Sequence, residues 1–492
     1  MRPASIRGTR RGLAAVAAAL TVLTAPAAYA AAGGKSGPLQ RLSADDPVAG
    51  CTTGPGAAGP GQVAPHSTES PVVAVNPRDP RQSVVAWAQD SWSAPGGARA
   101  DVYAFTRDGV HFTEGVLPFG ACAGAASVSP TVGREDLPWL SWGPDGAVYA
   151  TTTEIDFTTG HSAIGAASSL DGGATWKFAQ SLRGSTFPPA EAGEATVTAD
   201  PTRPGTAYLV ADQADAPAGG PITDPAELSI THDHGRTWST PQVIGHTDTP
   251  MTGTLGNHIV IDPRTGRLYD VFLDRSFTSL DNDFYASIRS DDGGATWTAP
   301  QRIVGSPFVA DTDPNDPAQR LLTSEGLNSA AVDPVTGTLY VAFEGADFTG
   351  GKVDQAELAK STDGGTTWSA PKRISQDPNS PAYTPSITVG PTGTLSALYY
   401  DLRHLAPGNT TTLPTSTWLE TFPFGDLDHP TERQIAPDFD FLQAPSPSGH
   451  YIGVYEGLAP SGLFGVRVAF VATLDAPNHP SDVYTDVFEP FH

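Results

Sequence analysis

Ser290-Asp291-Asp292-Gly293-Gly294-Ala295-Thr296-Trp297 and Ser361-Thr362-Asp363-Gly364-Gly365-Thr366-Thr367-Trp368 are two copies of one eight-residue pattern. Two further copies stand at Ser169-Leu170-Asp171-Gly172-Gly173-Ala174-Thr175-Trp176 and Thr231-His232-Asp233-His234-Gly235-Arg236-Thr237-Trp238, and a shortened relative at Thr106-Arg107-Asp108-Gly109-Val110-His111-Phe112. The aspartates lie 63, 62, 59 and 71 residues apart. The pattern carries its own turn chemistry. An Asp carboxylate accepts hydrogen bonds from the amides of its own turn, Gly permits positive φ, and Trp pins the turn onto the strands beneath. These residues read as hairpin staples, not as catalytic groups.

A second repeat precedes each copy: an apolar strand, a Pro/Gly turn, and another apolar strand. It spans 72–87 across Asn76-Pro77, 140–150 across Gly143-Pro144, and 199–210 across Asp200-Pro201. It returns at 259–272 across Asp262-Pro263, 332–343 across Asp333-Pro334, and 387–400 across Gly390-Pro391. A last, irregular unit runs from Tyr451 to Phe488 without the eight-residue pattern. Four-stranded units repeating at 40 residues or more predict an all-β fold, a β-propeller of four-stranded blades. Seven blades are counted, with six as the alternative if the last unit is a terminal extension. The segment around Leu39–Leu42 is expected to supply the missing strand of the last blade, leaving no free edge. The domain reading is therefore 1–30 as a signal peptide, 31–67 as an N-terminal segment closing the ring, and 68–492 as the propeller.

Composition agrees with short strands and turns: 52 Gly, 46 Pro and only 16% charged residues. Arg2, Arg7, Arg10 and Arg11 form a basic start, an apolar stretch follows to about Ala25, and Ala28-Tyr29-Ala30 offers a small-x-small cleavage site. Thr9-Arg10-Arg11-Gly12-Leu13 also has the look of a twin-arginine signal. The run is shorter than the roughly 20 residues a membrane span needs, so the expectation is export through the Sec or twin-arginine route, with no membrane insertion. Removing residues 1–30 takes four Arg and no acids, leaving 24 basic against 53 acidic residues and a net charge of about −29. Such a surface repels nucleic acid and anionic membranes. Cys51 and Cys122, the two cysteines of an exported chain, are expected to pair.

Strand direction sorts the loops. If the first strand of a unit descends, the Pro/Gly turns and the eight-residue turns share the lower face. The long, irregular loops then share the upper one, where function is expected. Asp90, Asp212, Asp274, Glu344 and Asp401 each follow a second strand; five acids at one level read as architecture, or as a ring supplying an acid, a base or cation ligands. Glu69, Glu194, Asn257, Asn328, Thr384 and His450 stand near the starts of first strands as a polar collar. Arg99, Arg275 and Arg403 are upper-loop cations suited to gripping a carboxylate, or to pairing with neighbours such as Asp274 and Asp401. Trp92, Phe157, Phe277 and Phe348 offer faces for sugar stacking or loop packing. No His spacing, Gly-x-Ser-x-Gly or phosphate loop is present, so neither a metal centre nor a cofactor is expected.

The eight-residue repeat resembles the Asp-box of sialidases and other BNR-repeat propellers, over roughly residues 68–489. The resemblance implies a retaining exo-glycosidase of the exo-alpha-sialidase type: an Arg triad gripping the sugar carboxylate, a Tyr nucleophile assisted by Glu, and an Asp acid/base. The sequence departs from that family at the first strand, where Glu69-Ser70-Pro71-Val72 stands in place of an Arg-Ile-Pro type motif. Tyr451 and Glu456 lie in the last unit but outside the family's pattern, and seven units exceed its six blades. By predicted face, the catalytic candidates are Asp90, Glu344 and Tyr451. The substrate-binding candidates are Arg99, Arg275, Arg403, Trp92, Glu69, Glu194 and His450. The expected partner is a glycan or glycoconjugate, and the expected state a monomer. A sialidase-like hydrolase, a glycosidase using two carboxylates, and a non-catalytic binding or scaffold propeller all remain open.

Overall fold

Every strand–turn–strand pair of the sequence forms an antiparallel pair in the computed structural model, which describes residues 39–489 except 52–60, 94–95, 157–160, 186–192, 213, 215–220, 246–250, 280–282, 307 and 447–448. The pairs extend into sheets in simple chain order. Thr68–Val75, Ser83–Ser91, Ala98–Thr106 and Phe112–Val116 form the first. A single bridge, Ala98 to Glu135, joins it to Arg134–Trp142, Val148–Asp156, His161–Ser169 and Lys177–Ser185. Four-stranded sheets follow with innermost strands Ala195–Ala199, Thr252–Asp262 and Asn328–Val332, and then a sheet led by Ala382–Val389. In the last sheet the order is Gly457–Ser461, Gly465–Ala472, Asp482–Phe488, Gln40–Arg41. Gln40 pairs with Thr485 and Arg41 with Tyr484.

The innermost strands touch in cyclic order. Thr68–Val75 meets Arg134–Trp142, which meets Ala195–Ala199, then Thr252–Asp262, Asn328–Val332, Ala382–Val389 and Gly457–Ser461, which meets Thr68–Val75 again. Side chains stitch neighbours together. Ala199 N donates to Ser141 Oγ (2.9 Å), Thr196 Oγ1 to Asn257 O (2.8 Å), Asn328 Nδ2 to Gly256 O (2.8 Å) and Ile387 N to Ser329 Oγ (2.9 Å). Between sheets lie dry cores such as Tyr208, Val210, Phe272 and Ile288, where truncating one large side chain to Ala costs roughly 3–5 kcal/mol.

The eight-residue turns are built as their residues dictate. Asp171 Oδ1 accepts from Thr175 N (2.8 Å) and Oδ2 from Thr175 Oγ1 (2.7 Å), while Ser169 Oγ accepts from Gly173 N (2.8 Å). Asp233, Asp292 and Asp363 repeat the arrangement. These turns share a face with the Pro/Gly turns: His234 Nε2 contacts Asp145 Oδ2 at 2.8 Å, and His234 N donates to Gly205 O at 3.0 Å. The Cys51–Cys122 disulfide is formed. Among the described residues no helix is long and apolar enough to cross a membrane.

One assignment needs correcting. Tyr451 does not begin the last sheet, whose innermost strand starts at Gly457. His450–Tyr451 instead pairs in parallel with Asp316–Leu322, Leu322 opposite Tyr451, in a small separate sheet. The segment between the fourth and fifth units is thus an insertion that seats Tyr451 at the upper mouth. His450 leaves the collar for the same reason; its ring lies between Gln319 Oε1 and Ala444 O, each at 3.2 Å.

Candidate functional site at the upper mouth

The innermost strands do not run straight to the mouth. Registers slip between Glu69 and Val72, Asp136 and Trp139, Leu255 and His258, and Tyr383 and Ser386. At each slip one residue turns left-handed: Ser70 (φ 50°), Leu137 (φ 57°), Gly256 (φ 66°) and Thr384 (φ 53°). Three of these precede proline, in Glu69-Ser70-Pro71, Asp136-Leu137-Pro138 and Tyr383-Thr384-Pro385. A bulge re-aims the side chain beside it, and a non-glycine residue held left-handed costs on the order of 1–3 kcal/mol. The bulges accompany Glu69 and Asp136 at the mouth of the ring.

A cleft of about 330 Å³ opens there, lined by Glu69, Trp92, Gly96, Gly97, Asp136, Leu322, Thr323, Glu325, Tyr451 and Val454. Glu69 is buried and accepts from Ser91 Oγ at 2.7 Å. Burial, and next the charge of Asp136, hold its carboxyl well above the usual range. Burial pushes Asp136 up to about 6, against the amides of Leu137 and Gly97, which favour its ionised form. Tyr451 lies 3.4 Å from Ser70 Oγ. Its phenol is held well above its ordinary value by burial and then by Asp136, Glu69 and Glu194. Glu194, beside the cleft, is pushed up to about 7 by burial, with the Tyr455 hydroxyl, and Arg275 after Asp136, acting on it. A second cavity of about 300 Å³ follows the inner strands, with His258, Tyr455 and Glu456 on its wall.

Among the sequence candidates, Glu69, Trp92 and Tyr451 come together in the cleft, with Glu194 in electrostatic reach of Asp136. Asp90 and Glu344 do not line it, because their oxygens serve the scaffold. Asp90 is fully buried, accepts from His66 N (2.8 Å), and pairs with Arg99 at 3.1 Å. Glu344 accepts from Ser324 N (3.1 Å), Ser324 Oγ (2.8 Å), Thr323 Oγ1 (3.0 Å) and Thr384 N (2.6 Å), so it ties the insertion to the bulge at Thr384. The three arginines do not converge. Arg99 pairs with Asp90, Arg275 with Asp224 while stacking on Phe277, and Arg403 with Asp401 and Glu432 while lying 3.7 Å over Trp418. Each is held by carboxylates of its own neighbourhood, in a chain where acids outnumber bases. Asp401 likewise serves Arg403 and Trp418 Nε1. Phe348 is exposed, and Phe157 falls outside the described residues.

Sequence reasoning missed Asp136, Glu325 and Tyr455. For Asp136 the signal was present: Asp136-Leu137-Pro138 repeats Glu69-Ser70-Pro71 one unit on. Glu325 sits in the insertion, where no repeat marks it.

No protein-family model matches the chain, and no curated protein does. Among solved structures, a protein of unknown function from Dyadobacter fermentans DSM 18053 is 16% identical over 86% of this chain and 95% of its own, at a TM-score of 0.49. The GH93 alpha-L-arabinofuranosidase of Fusarium graminearum, solved with arabinobiose, is 13% identical over 72% of this chain and 92% of its own, at 0.45. The Hadza microbial sialidase Hz136 is 15% identical over 72% and 65%, also at 0.45. By its own strand order and its cyclic inner strands, this chain is a β-propeller.

Proposed function

We propose that the chain is an exported, seven-bladed propeller that cleaves glycosidic bonds in the upper cleft. The carrying observation is that Glu69, Asp136 and Tyr451 line one cleft, with both carboxyls raised by burial and the charge of Asp136 acting on Glu69 and Tyr451. Two carboxyls whose environments separate their proton affinities divide naturally into acid and base. Asp136, with two amides favouring its anion, supplies the carboxylate that stabilises the oxocarbenium-like transition state and takes a proton from the water that attacks the anomeric carbon. Glu69, whose carboxyl burial and then the charge of Asp136 hold well above the usual range, protonates the departing oxygen. Tyr451 is a poor phenolate in this acidic setting, so it serves as a hydrogen-bond donor and not as a nucleophile. That departs from the chemistry the sialidase resemblance implies.

The test is a panel of chromogenic glycosides, neutral and acidic, with the wild type, Glu69→Gln and Asp136→Asn. Turnover of at least one glycoside should fall about 10²–10⁴-fold in both variants, the usual worth of positioned proton transfer. No turnover across the panel, or variants that keep full activity, would sink the reading.

A further inference from the structure

We infer that the insertion is a proton-held latch: while Asp311, Glu344 and Asp354 share protons they clamp it to the ring, and as the pH rises they release it together with the wall it gives the cleft. The inference rests on the joint itself, whatever the cleft binds. One carboxyl oxygen from each of the three lies within 4.8 Å of the others, and all three residues are buried. They also receive the insertion. Glu344 accepts from Ser324 N, Ser324 Oγ and Thr323 Oγ1 on the insertion side and from Thr384 N on the ring side. Asp354 accepts from Val309 N on both oxygens, at 3.0 Å each. From this joint the chain delivers Leu322, Thr323 and Glu325 to the cleft, and Leu322 pairs with Tyr451.

The geometry places one of the protons. Thr323 Oγ1 stands 2.9 Å from Asp311 Oδ2 and 3.0 Å from Glu344 Oε2. A hydroxyl has one hydrogen to give, so both contacts are full hydrogen bonds only when one carboxyl brings its own. Glu344 faces three other donors, which favour its anion, whereas the carboxyl of Asp311 has no second hydrogen bond among the described residues. Asp311 therefore donates to Thr323, and Thr323 to Glu344. The surroundings act in the same sense. Glu325 bears on all three carboxyls and Glu357 on Asp354. The phenols facing them, Tyr285 and Tyr383, are held well above their ordinary values by burial and then by acids. Arg320, the nearby cation, is half exposed and 3.9 Å from Glu325. Burial, then Glu344 and Asp354, hold Asp311 well above the usual range; burial raises Glu344 to about 7 and Asp354 to about 8. Released into water, these groups would titrate at ordinary values, so the docked state binds more protons. Its stabilisation is complete at low pH and is lost as the pH climbs through about 7 and 8, when buried like charges are left facing one another.

The experiment is hydrogen–deuterium exchange of the full chain, read by mass spectrometry at pH 5 and pH 8.5 and corrected for the intrinsic exchange rate at each. Protection over 309–325 and 450–455 should fall at least about tenfold at the higher pH, while the strand Gly465–Ala472 on the far side of the ring keeps its own. Asp311→Asn gives Thr323 the same hydrogen without a charge, and Asp354→Asn still accepts from Val309 N. Each variant should keep most of its protection at pH 8.5, and misfolding of one leaves the other to decide. A wild-type insertion equally protected at both pH values, or a folded variant that opens as widely as the wild type, would overturn the inference. So would closure at pH 8.5 by millimolar calcium, which would put a cation where the proton is placed. An insertion that opens as expected, in a chain that turns over no glycoside, would uphold the latch and sink the hydrolase reading. Turnover with an insertion that stays closed would do the reverse.

Discussion

Gly453→Ala should damage the site far more than the fold. Gly453 lies at φ +113°, and a methyl group there would meet Ser70 N at 2.1 Å, Ser70 Cα at 2.6 Å and Ser70 Oγ at 3.0 Å. The two segments clasp each other around this point: Ser70 N donates to Ile452 O (3.4 Å), and Val454 N donates to Ser70 Oγ (3.3 Å). Opening the shortest contact to even 3.0 Å takes roughly an ångström of backbone movement, and the groups that must move are the neighbours of Glu69 and Tyr451. A misplacement of about 1 Å can cost on the order of 10²-fold in rate, or about 2.7 kcal/mol of transition-state stabilisation. The positive φ alone costs an alanine about 1–3 kcal/mol of stability. Gly146, at φ +96° in a turn of the opposite face with nothing within 4 Å, isolates that second cost. Gly453→Ala should lose at least as much thermal stability as Gly146→Ala, and only Gly453→Ala should lose turnover, or sugar affinity if affinity is the readout. If the two behave alike in both assays, the claim that Ser70 and Gly453 set the cleft is wrong.

The pH dependence has a definite sign. Asp136, Glu194, Glu344, Asp354 and Glu420 have folded values raised to about 6, 7, 7, 8 and 8, so the unfolded chain releases these protons first. Their contribution to stability is therefore complete at low pH and is lost as pH rises from about 4 to 8. The melting temperature, followed by scanning fluorimetry at constant ionic strength, should be higher at pH 5 than at pH 8; the opposite order refutes it. Turnover should fall below about pH 6 as Asp136 takes up its proton, and Asp136→Asn should abolish that limb of the profile. Arg403→Ala leaves buried Asp401 without its cation, and should cost about 3–5 kcal/mol in denaturant unfolding while sparing turnover. Loss of turnover in that variant would restore the arginine to the site. Replacing Cys51 and Cys122 with Ser releases a cross-link spanning 71 residues and should lower stability by about 4 kcal/mol, read as a shift in denaturant midpoint.

The local periodicities were legible because they are set by local chemistry. The Asp171 turn and its copies need only their own eight residues to satisfy their amides, so a single chain displays them. The strand–turn–strand pairs are equally self-announcing, since alternation and a Pro/Gly turn fix both partners. The site was harder, because its members come from distant units. Tyr451 was recognisable as an upper-face residue, yet the reason it reaches the cleft is the insertion at 312–322, which no periodicity predicts. The arginines were read by charge type alone. Whether a guanidinium meets a ligand or a neighbouring carboxylate depends on contacts such as Arg403 with Glu432, 29 residues apart. Asp136 precedes the strand–turn–strand repeat read at 140–150, and reaches the cleft because Pro138 is tolerated at a bulge that carries the strand back to Arg134.

The pairing of Gln40–Arg41 with Tyr484–Thr485 makes the ring a belt fastened by its two ends, about 445 residues apart along the chain. The buckle is non-covalent, so it sets the order of assembly: the other sheets can form from neighbouring segments as they become available, but the circle locks only when residues 482–488 meet Gln40–Arg41. Long-range closure of this kind is slow. It also means that Gln40 and Thr485 already lie side by side. A peptide linking them, with new ends cut at the Gly143–Ala147 turn, would convert the buckle into a continuous strap and move the opening to a face remote from the cleft.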